Sequence, residues 1–361
     1  MREKRKEFKR VVEEEKREHW IGYLEGLGEE EGYKWVKRNR DFVVDVSTFV
    51  LENGERLERD EKKGVGIMRG LGKREELDQE EEGFEGVVEL GMEEVEECVM
   101  GQGDKKAVGR SGIGGKVLKE AFKVGWVREG IREVVKRSLE LGYAVKGWRK
   151  SVGIIMRKPN KLDYGSLNSY RIINLLEVLG KVVERVVARR LEGWGQDGMG
   201  DEQYGGRRGR SCMDGVGRLY EKWEKGGKKG VWLSMDVKGD YENMGVSKCE
   251  EGMRGLGVDE YLVKWAGSFL RDREVSVRVG KSVSGVGKMS GGTVQGSPLS
   301  PIVFMYIWEG ALEEVRREEV EGVEMVGCVD YVEFMVVGED KKCIKERVRR
   351  MEVGLERGLK K

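Results

Sequence analysis

Length, composition and charge set the first limits on what this chain does. It has 361 residues, enough for one large or two ordinary domains, and its 68 Lys plus Arg balance 67 Asp plus Glu, so net charge gives no argument for a nucleic-acid partner. No apolar run approaches the roughly 20 residues of a membrane span, and the charged N-terminus has no secretory character, so we expect an intracellular protein, nuclear or cytoplasmic.

Cysteine and histidine usage disfavours several kinds of site. The 5 cysteines lie far apart with no C-x-x-C pair, and His19 is the single histidine. Structural zinc and a disulfide scaffold are both disfavoured, and reduced thiols fit best. Because His19 falls in a charged helical segment, catalysis by a Ser-His-Asp or Cys-His arrangement is disfavoured as well.

Residues 1–100 are predicted to form a charged, helical N-terminal region. Segments such as KEFKRVVEEEKREHWIGYLEGL and GFEGVVELGMEEVEECVM space their apolar residues by three and four, which is typical of amphipathic helices. Residues 101–116, GQGDKKAVGRSGIGGK, are rich in glycine and charge and are predicted to be a linker. A phosphate-binding loop does not fit here, because Arg110 and Val117 stand where that motif needs Gly and Ser or Thr.

Helices and strands alternate without a strict repeat from Val117 onward. A helical stretch leads to GWRKSVGIIMRKPNK, a short strand with a basic turn, and the apolar spacing over residues 172–191 predicts one long helix. A basic glycine-rich loop, a helix and a strand ending at Asp236 follow. Alternating valines over residues 275–279 predict another strand, and a tight loop then opens a helix. This succession predicts an α+β or mixed α/β fold.

The segment EMVGCVDYVEFMVVGED, residues 324–340, predicts a hairpin of two apolar strands whose turn carries Asp330 and Tyr331. A carboxylate at the end of a buried strand needs a partner, because an unpaired buried charge is costly. If the strands that end at Asp236 and Asp330 are neighbours, their carboxylates converge and bind Mg²⁺, and a pair of such ions supports in-line phosphoryl transfer. Two aspartates alone are weak evidence for a Mg²⁺ site, since Asp330 could equally cap a turn.

Several segments follow one another in a distinctive order. They are GWRKSVGIIMRKPNK, SYRIINLLEVLGKVVERVVARRL, EQYGGRRGRSCMDGV, SMDVKGDYENM, GGTVQGSPLSPIVF and CVDYVEFMV. In this order, from about residue 147 to 340, the chain resembles the reverse transcriptases of non-LTR, LINE-type retrotransposons. The resemblance implies a reverse transcriptase domain over residues 117–361, with fingers at about 147–230, a partial palm at about 231–361 whose antiparallel sheet packs on helices, and no thumb.

The resemblance also implies a role for individual positions. Asp236 and Asp330 would bind the Mg²⁺ ions of the palm, and Tyr241 would lie under the sugar of the incoming nucleotide. The implied substrates are deoxynucleoside triphosphates, and the implied partners are an RNA template and a DNA primer. The other positions are Lys158 and Arg171 for the triphosphate, Gln295 and Gly296 for nucleotide and template, and Arg207, Arg208 and Arg210 for template phosphates.

Tyr331 departs from the family pattern, which has a second aspartate at this position. A neutral phenol is a poor ligand for Mg²⁺ and is bulkier than the carboxylate that it replaces. We therefore expect a degenerate polymerase that is weakly active or inactive. Two alternatives stay open: a non-catalytic remnant that binds RNA through its basic fingers, and a charged helical structural or interaction protein whose aspartates are incidental.

Overall fold

The N-terminal part of the chain is described only in places. A computed structural model describes residues 49–50, 56–57, 86–166, 169–226, 229–236, 245–280, 282–289, 292–329 and 331–360. All of these belong to one compact unit, Val46–Lys361. Most of the predicted helical region 1–100 lies outside the described residues. Within it, strands β1 (Phe49–Val50) and β2 (Arg56–Leu57) pair antiparallel, and the stretch at Met92–Met100 is helical.

Helices and strands both contribute to the described part of the chain, and the predicted α+β class is confirmed. In chain order the helices there are α1 (Met92–Met100), α2 (Gly115–Phe122), α3 (Gly125–Glu140), α4 (Val178–Gly198), α5 (Cys212–Gly226), α6 (Val246–Gly255), α7 (Glu260–Leu270), α8 (Ser300–Arg317) and α9 (Lys341–Lys360). The further strands are β3 (Lys150–Arg157), β4 (Tyr170–Leu175), β5 (Lys229–Asp236), β6 (Arg273–Val279), β7 (Ser282–Met289), β8 (Val323–Cys328) and β9 (Tyr331–Gly338). None of these helices is both long enough and apolar enough to cross a bilayer.

The larger of the sheets has the strand order β4-β3-β6-β7. β3 pairs antiparallel with β4 and parallel with β6, and β6 pairs antiparallel with β7. The alternation predicted for residues 275–279 is confirmed, because Val275, Val277 and Val279 are all buried. This sheet carries the predicted strand and basic turn of the fingers at one of its ends.

The second sheet, β5-β9-β8, is antiparallel throughout and lies in the segment predicted to be the palm. β8 and β9 form the hairpin predicted from residues 324–340, with Val329 in its turn. On one face of this sheet Val332, Phe334 and Val336 are buried in the main apolar core. Such one-sided burial fixes the strand register, since a slip of one residue would turn these side chains to the other face.

The segment that contains β4 and α4 corrects one prediction. Residues 172–191 were expected to form a single helix, but β4 ends at Leu175 and α4 begins at Val178. In the strand, Ile172 pairs with Ile155, and β-branched residues of this kind favour a pleated sheet. Apolar residues recur on both sides of the boundary, so helical spacing alone could not locate it. The apolar face of α4 is buried through Val182, Val183, Val186, Val187 and Leu191.

The predicted linker packs against its surroundings through polar contacts. Between α1 and α2, residues 101–114 form neither helix nor strand. The backbone N–H of Ser111 donates to the carboxylate of Glu177 at 2.9 Å, and its hydroxyl donates to the same group at 2.5 Å. Lys119 forms an ion pair with Asp104 at 2.6 Å. The segment is therefore irregular but held in place, and the domain limits at 100 and 116 stay predictions.

Candidate active site

Strands β5 and β9 bring two predicted site positions side by side. In their antiparallel register the Cα partner of Asp236 is Tyr331, the residue after Asp330. Asp236 at the end of β5 therefore adjoins the start of β9, whereas β8, the strand that precedes Asp330, pairs with β9 and not with β5. Three groups that the resemblance places around the metal and the sugar lie outside the described residues, namely Asp330, Tyr241 and the side chain of Asp236.

Alternation along β5 assigns position 236 to one face of the palm sheet. Met235 packs against the main core, so Ser234 and Asp236 belong to the opposite face. On that face Glu333 stands opposite Ser234 and accepts hydrogen bonds from the Ser234 hydroxyl at 2.7 Å and from Trp232 Nε1 at 2.6 Å. The carboxylate of Glu333 is thus held between the strands, and it does not replace the aspartate that the family has at position 331.

The half-buried ring of Tyr331 packs against a small apolar cluster of Leu219, Val326, Cys328 and Met335. This cluster joins α5 to the hairpin of β8 and β9, so the ring of Tyr331 has a structural role. Replacing Tyr331 with aspartate would place a charge beside apolar atoms and remove the contacts of the ring. Both changes would lower the stability of the fold.

The turn between β8 and β9 contains a strained residue. Val329 has φ of +55°, in the left-handed region that β-branched residues rarely adopt. Gly205 lies so close to the backbone nitrogen of Val329 that a side chain at position 205 would have no room. Strained backbone persists where its surroundings fix it, and the loop around Gly205 is the neighbouring structure that does so here.

The basic loop of residues 200–211, called the 200–211 loop below, runs along the end of β8. The backbone N–H groups of Tyr204 and Gly205 donate to the carbonyl of Gly327 at 2.8 and 3.2 Å. In return, the N–H of Gly327 donates to the carbonyl of Glu202 at 2.9 Å, so the loop adds a short parallel bridge to the palm sheet. The predicted template-binding segment is therefore fixed directly beside the hairpin turn.

The three arginines of the 200–211 loop have different environments. Arg207 is only 6% exposed, and its guanidinium donates to carbonyls of its own loop, including that of Gln203 at 3.3 Å. Arg210 forms an ion pair with Asp201 at 2.9 Å. Arg208 is exposed to solvent. A phosphate contact through Arg207 would require its guanidinium to leave the loop. Arg208 is already exposed and needs no such rearrangement.

A disulfide joins the 200–211 loop and α5 to the hairpin. Cys212 at the start of α5 is bonded to Cys328 at the end of β8, and their Cα atoms are 5.6 Å apart. Cys98 and Cys249 are buried free thiols, and Cys343 is a half-buried one. The prediction of reduced thiols is therefore wrong for this pair. With a sequence separation of 116 residues, only the fold reveals that the two cysteines are neighbours.

Gln295 and Gly296 lie in a turn that is fixed against β4. The backbone N–H of Asn174 donates to the carbonyl of Gln295 at 2.8 Å. Gly296 has φ of +111°, and a side chain there would meet the carbonyl of Asn174, so the position requires glycine. The buried Oε1 of Gln295 has no hydrogen-bond partner among the described residues, a state that a bound ligand or water would relieve.

Glu184 of α4 is a residue beside this turn that sequence reasoning missed. It is completely buried, and its Oε2 accepts a hydrogen bond from the hydroxyl of Ser297, which directly follows Gly296. Its Oε1 has no hydrogen-bond partner within the described ranges. Burial raises the pKa of this carboxyl to about 7. A signal was present in the sequence, since Glu184 interrupts the apolar face of an amphipathic helix.

Lys158 and Arg171 lie at one end of the β3-β4 pair. The backbone N–H of Lys158, directly after β3, donates to the carbonyl of Ser169 at 2.8 Å, and Arg171 is the second residue of β4. Arg171 is exposed and Lys158 is half-buried. Strand β4 continues from Arg171 to Asn174, which holds the turn at Gln295. One strand therefore connects the predicted triphosphate-binding position to the predicted nucleotide turn.

The residues predicted to bind metal, Asp236 and Asp330, lie where described segments of the chain end. Within the described ranges, no three or more His, Cys, Asp or Glu residues are grouped so that they could hold a metal ion. The backbones of positions 236 and 331 are adjacent, while the carboxylates predicted to bind Mg²⁺, those of Asp236 and Asp330, lie outside the described residues. The neutral phenol of Tyr331 contributes no third carboxylate.

The fold and these neighbouring segments define a template-directed polymerase domain with a palm sheet and fingers. The family described as reverse transcriptase (RNA-dependent DNA polymerase) matches residues 156–357, more than half of the chain. The chain belongs to this family and carries a reverse transcriptase domain. Members of the family generally use divalent metal ions.

Two curated proteins of Drosophila melanogaster are similar to the chain. A 115 kDa protein in the type-1 retrotransposable element R1DM is 25% identical over 258 residues, which cover 70% of this chain and 24% of that protein. A protein described as a probable RNA-directed DNA polymerase from transposon BS is 30% identical over 179 residues, covering 46% of this chain and 19% of that protein. The chain thus spans less than a quarter of either relative. The resemblance to LINE-type reverse transcriptases is confirmed, and the alternative of a charged helical structural protein is wrong.

Proposed function

We propose that this domain binds an RNA template, a DNA primer and deoxynucleoside triphosphates, and that its polymerase activity is weak or absent. The observation that carries the proposal is the register of β5 and β9, in which Asp236 stands opposite Tyr331. In this proposal Asp236 and Asp330 hold Mg²⁺ at the ends of two neighbouring strands. The polymerase would act on RNA inside the cell, in the nucleus or the cytoplasm.

The side chains around this centre have separate tasks in the proposal. Bound Mg²⁺ would supply activation of the primer hydroxyl and neutralisation of charge on the leaving phosphate. Lys158 and Arg171 would bind oxygens of the triphosphate, where cationic groups stabilise developing negative charge. Tyr241 would pack under the sugar. Gln295 would contact the nucleotide or template, and the glycine after it, Gly296, lets the backbone approach closely.

Tyr331 accounts for the weak activity. Its phenol stays neutral near pH 7 and is a poor Mg²⁺ ligand. Losing one ligand of a two-ion site would cost about 4 kcal/mol of transition-state stabilisation, which is roughly a thousandfold in rate. Nucleotide and RNA binding depend on other residues, so binding is proposed to persist where chemistry is lost.

A non-catalytic RNA-binding remnant is the second candidate function. It is favoured by the 200–211 loop, which exposes Arg208 and is fixed to the hairpin through Gly327 and the Cys212–Cys328 disulfide without any metal. Phosphate contacts of this kind are independent of sequence and weaken as salt rises. In that case RNA retention would be salt-dependent and would survive Asp236→Asn.

Primer extension on an RNA template, with Mg²⁺ or Mn²⁺, tests the proposal. The wild-type chain should give at most a trace of product, and Tyr331→Asp should raise the rate at least about tenfold without reaching a full polymerase rate. Adding Asp236→Asn to Tyr331→Asp should abolish the gain. Robust extension by the wild type would refute weak activity. No gain from Tyr331→Asp, together with intact RNA binding, would favour the non-catalytic remnant.

A further inference from the structure

The turn of residues 294–297 is closed around the hydroxyl of Ser297. This hydroxyl donates to the carboxylate of Glu184 and accepts the backbone N–H of Leu299 at 3.1 Å. The N–H of Ser297 donates to the carbonyl of Val294 at 3.0 Å, which brings the two ends of the turn together. The side chain of Ser297 thus connects the turn to the buried Glu184 of helix α4.

The same turn is held from its other side by β4. Asn174 donates its backbone N–H to Gln295, and the hydroxyl of Ser151 in turn donates to Asn174 Oδ1 at 2.8 Å. Only Gly296 separates Gln295 from Ser297, and glycine offers little conformational resistance of its own. The position of Gln295 is therefore set jointly by a strand and by the contact between Ser297 and Glu184.

Ionisation of Glu184 has two opposing effects on the second of these supports. An ionised carboxylate accepts a stronger hydrogen bond from Ser297, whereas its buried charge favours opening of the turn so that water reaches it. The charged groups that act on it, Lys181 and Arg185, come from its own helix, while the facing turn offers the hydroxyl of Ser297. Burial favours the neutral carboxyl and outweighs the effects of Ser297 and of the two cations, which raises the pKa of Glu184 to about 7. Ionisation would leave a buried negative charge whose Oε1 has no hydrogen-bond partner among the described residues.

We propose that Glu184 is a positioning residue of the nucleotide site, which holds Gln295 and Gly296 in place through Ser297 while it is neutral and loosens the turn when it ionises. The inference rests on the proposed role of this turn in nucleotide binding. It assigns no contact between Glu184 and the nucleotide. Its consequence is a nucleotide affinity that falls as pH rises through neutrality.

Nucleotide binding as a function of pH tests this inference. The affinity of the full chain for a fluorescent deoxynucleoside triphosphate, with Mg²⁺ and a template–primer duplex, is measured from pH 6.5 to 8.5. The wild type should lose about five- to tenfold in affinity over this range, comparable to losing one hydrogen bond to a buried group. Glu184→Gln should remove this loss, because the amide stays neutral. Glu96→Gln is the control, since Glu96 is exposed on α1 and outside the turn, and it should keep the wild-type profile.

Ser297→Ala removes the link between Glu184 and the turn. Its affinity should be about fivefold lower than that of the wild type at pH 6.5, with no further fall at higher pH. Equal pH profiles for wild type and Glu184→Gln would overturn the inference.

Hydrogen exchange without nucleotide separates failure of this inference from failure of the proposed function. The amide of Leu299 should lose protection as pH rises, beyond the intrinsic effect of pH on exchange, in the wild type and not in Glu184→Gln. If the wild type binds no nucleotide and this difference is still present, the proposed function fails and the positioning role stands. If the two proteins show equal protection of Leu299 at every pH, the positioning role is refuted.

Discussion

Asp236 and Tyr331 are direct Cα partners in the antiparallel pair of β5 and β9. A strand that ends in an acid therefore meets a phenol at the position where the family has an aspartate. The scaffold around this position is intact, because the Cys212–Cys328 disulfide and the bonds to Gly327 hold the 200–211 loop against the hairpin. The identity of residue 331 and the structure around it are thus separate features, and mutations can address each.

Tyr331→Asp should make the stability of the fold depend on Mg²⁺. Without metal, the variant loses the ring contacts with Leu219 and Met335 and gains a charge near Asp236, which should destabilise it by about 1 to 3 kcal/mol. Millimolar Mg²⁺ should recover part of this loss, since metal bound only by the folded state stabilises it. Thermal melts with and without Mg²⁺ measure the effect. Tyr331→Asn, which removes the ring without adding charge, is the control, and an equal Mg²⁺ response in both variants would contradict the proposed metal site.

Reduction of the Cys212–Cys328 disulfide should destabilise the domain. The bond closes a loop with a sequence separation of 116 residues, and constraining a loop of that size in the unfolded chain contributes about 4 to 5 kcal/mol in the chain-entropy model. Urea unfolding with and without reductant measures the difference, and the double variant Cys212→Ser with Cys328→Ser should match the reduced wild type. Cys343→Ser should leave the curve unchanged. Indifference of the wild type to reductant would mean that the bond does not form in solution.

Arg208 and Arg207 should differ in what their removal changes. Arg208→Gln should weaken RNA binding and lower the salt dependence by roughly one unit of slope, because one exposed phosphate contact is lost. Its melting temperature should stay as in the wild type. Arg207→Gln should instead lower stability by about 1 to 3 kcal/mol, because buried carbonyls of its own loop lose their donor. RNA titrations at several salt concentrations, with melts of both variants, distinguish the two roles.

Local sequence patterns predicted the palm hairpin well. Apolar residues on both sides of one acidic break required two paired strands, and the order of the matching segments placed the strand ending at Asp236 beside them. The register that pairs Asp236 with Tyr331 was not predicted and comes from the structure. Short-range pattern thus located the hairpin, whereas burial of one face of the sheet fixes how β5 pairs with β9.

Features that depend on tertiary contacts, on how a loop folds, or on where a strand gives way to a helix were not predicted. The disulfide of Cys212 requires a neighbour that lies 116 residues away, and the buried state of Arg207 depends on how its own loop folds back. The end of β4 at Leu175 was hidden by apolar spacing that suits a helix and a strand equally. The sequence showed only that Glu184 interrupts an apolar helix face. Its role could not be predicted, because its partner Ser297 belongs to another element.

Gly296→Ala should disrupt the turn at Gln295. The φ of +111° is unfavourable for alanine, and its methyl group would meet the carbonyl of Asn174, so we expect a loss of about 2 to 3 kcal/mol in stability and a marked loss of nucleotide affinity. Gly310→Ala is the matched control. Gly310 lies within α8 with open space around it, and alanine there should stabilise the domain by about 0.5 to 1 kcal/mol. Urea unfolding and nucleotide titration of both variants provide the test, and equal effects would contradict the assigned geometry.

Glu184→Gln should stabilise the domain at alkaline pH and not at acidic pH. The pKa of Glu184 is raised from 4.5 to about 7 in the folded chain, so the folded state holds its proton more tightly than the unfolded state. The stability that the neutral acid contributes is complete below pH 4.5 and is lost as pH rises through 7. A shift of this size corresponds to about 3 kcal/mol, from which the cost of an amide N–H without an acceptor is subtracted, so the variant should exceed the wild type by about 2 kcal/mol at pH 8. Urea unfolding from pH 4.5 to 8.5 measures the difference, and Glu96→Gln, which is exposed on α1, should stay within about 0.5 kcal/mol of the wild type throughout. A constant difference between Glu184→Gln and wild type across this range would show that Glu184 does not titrate near neutrality.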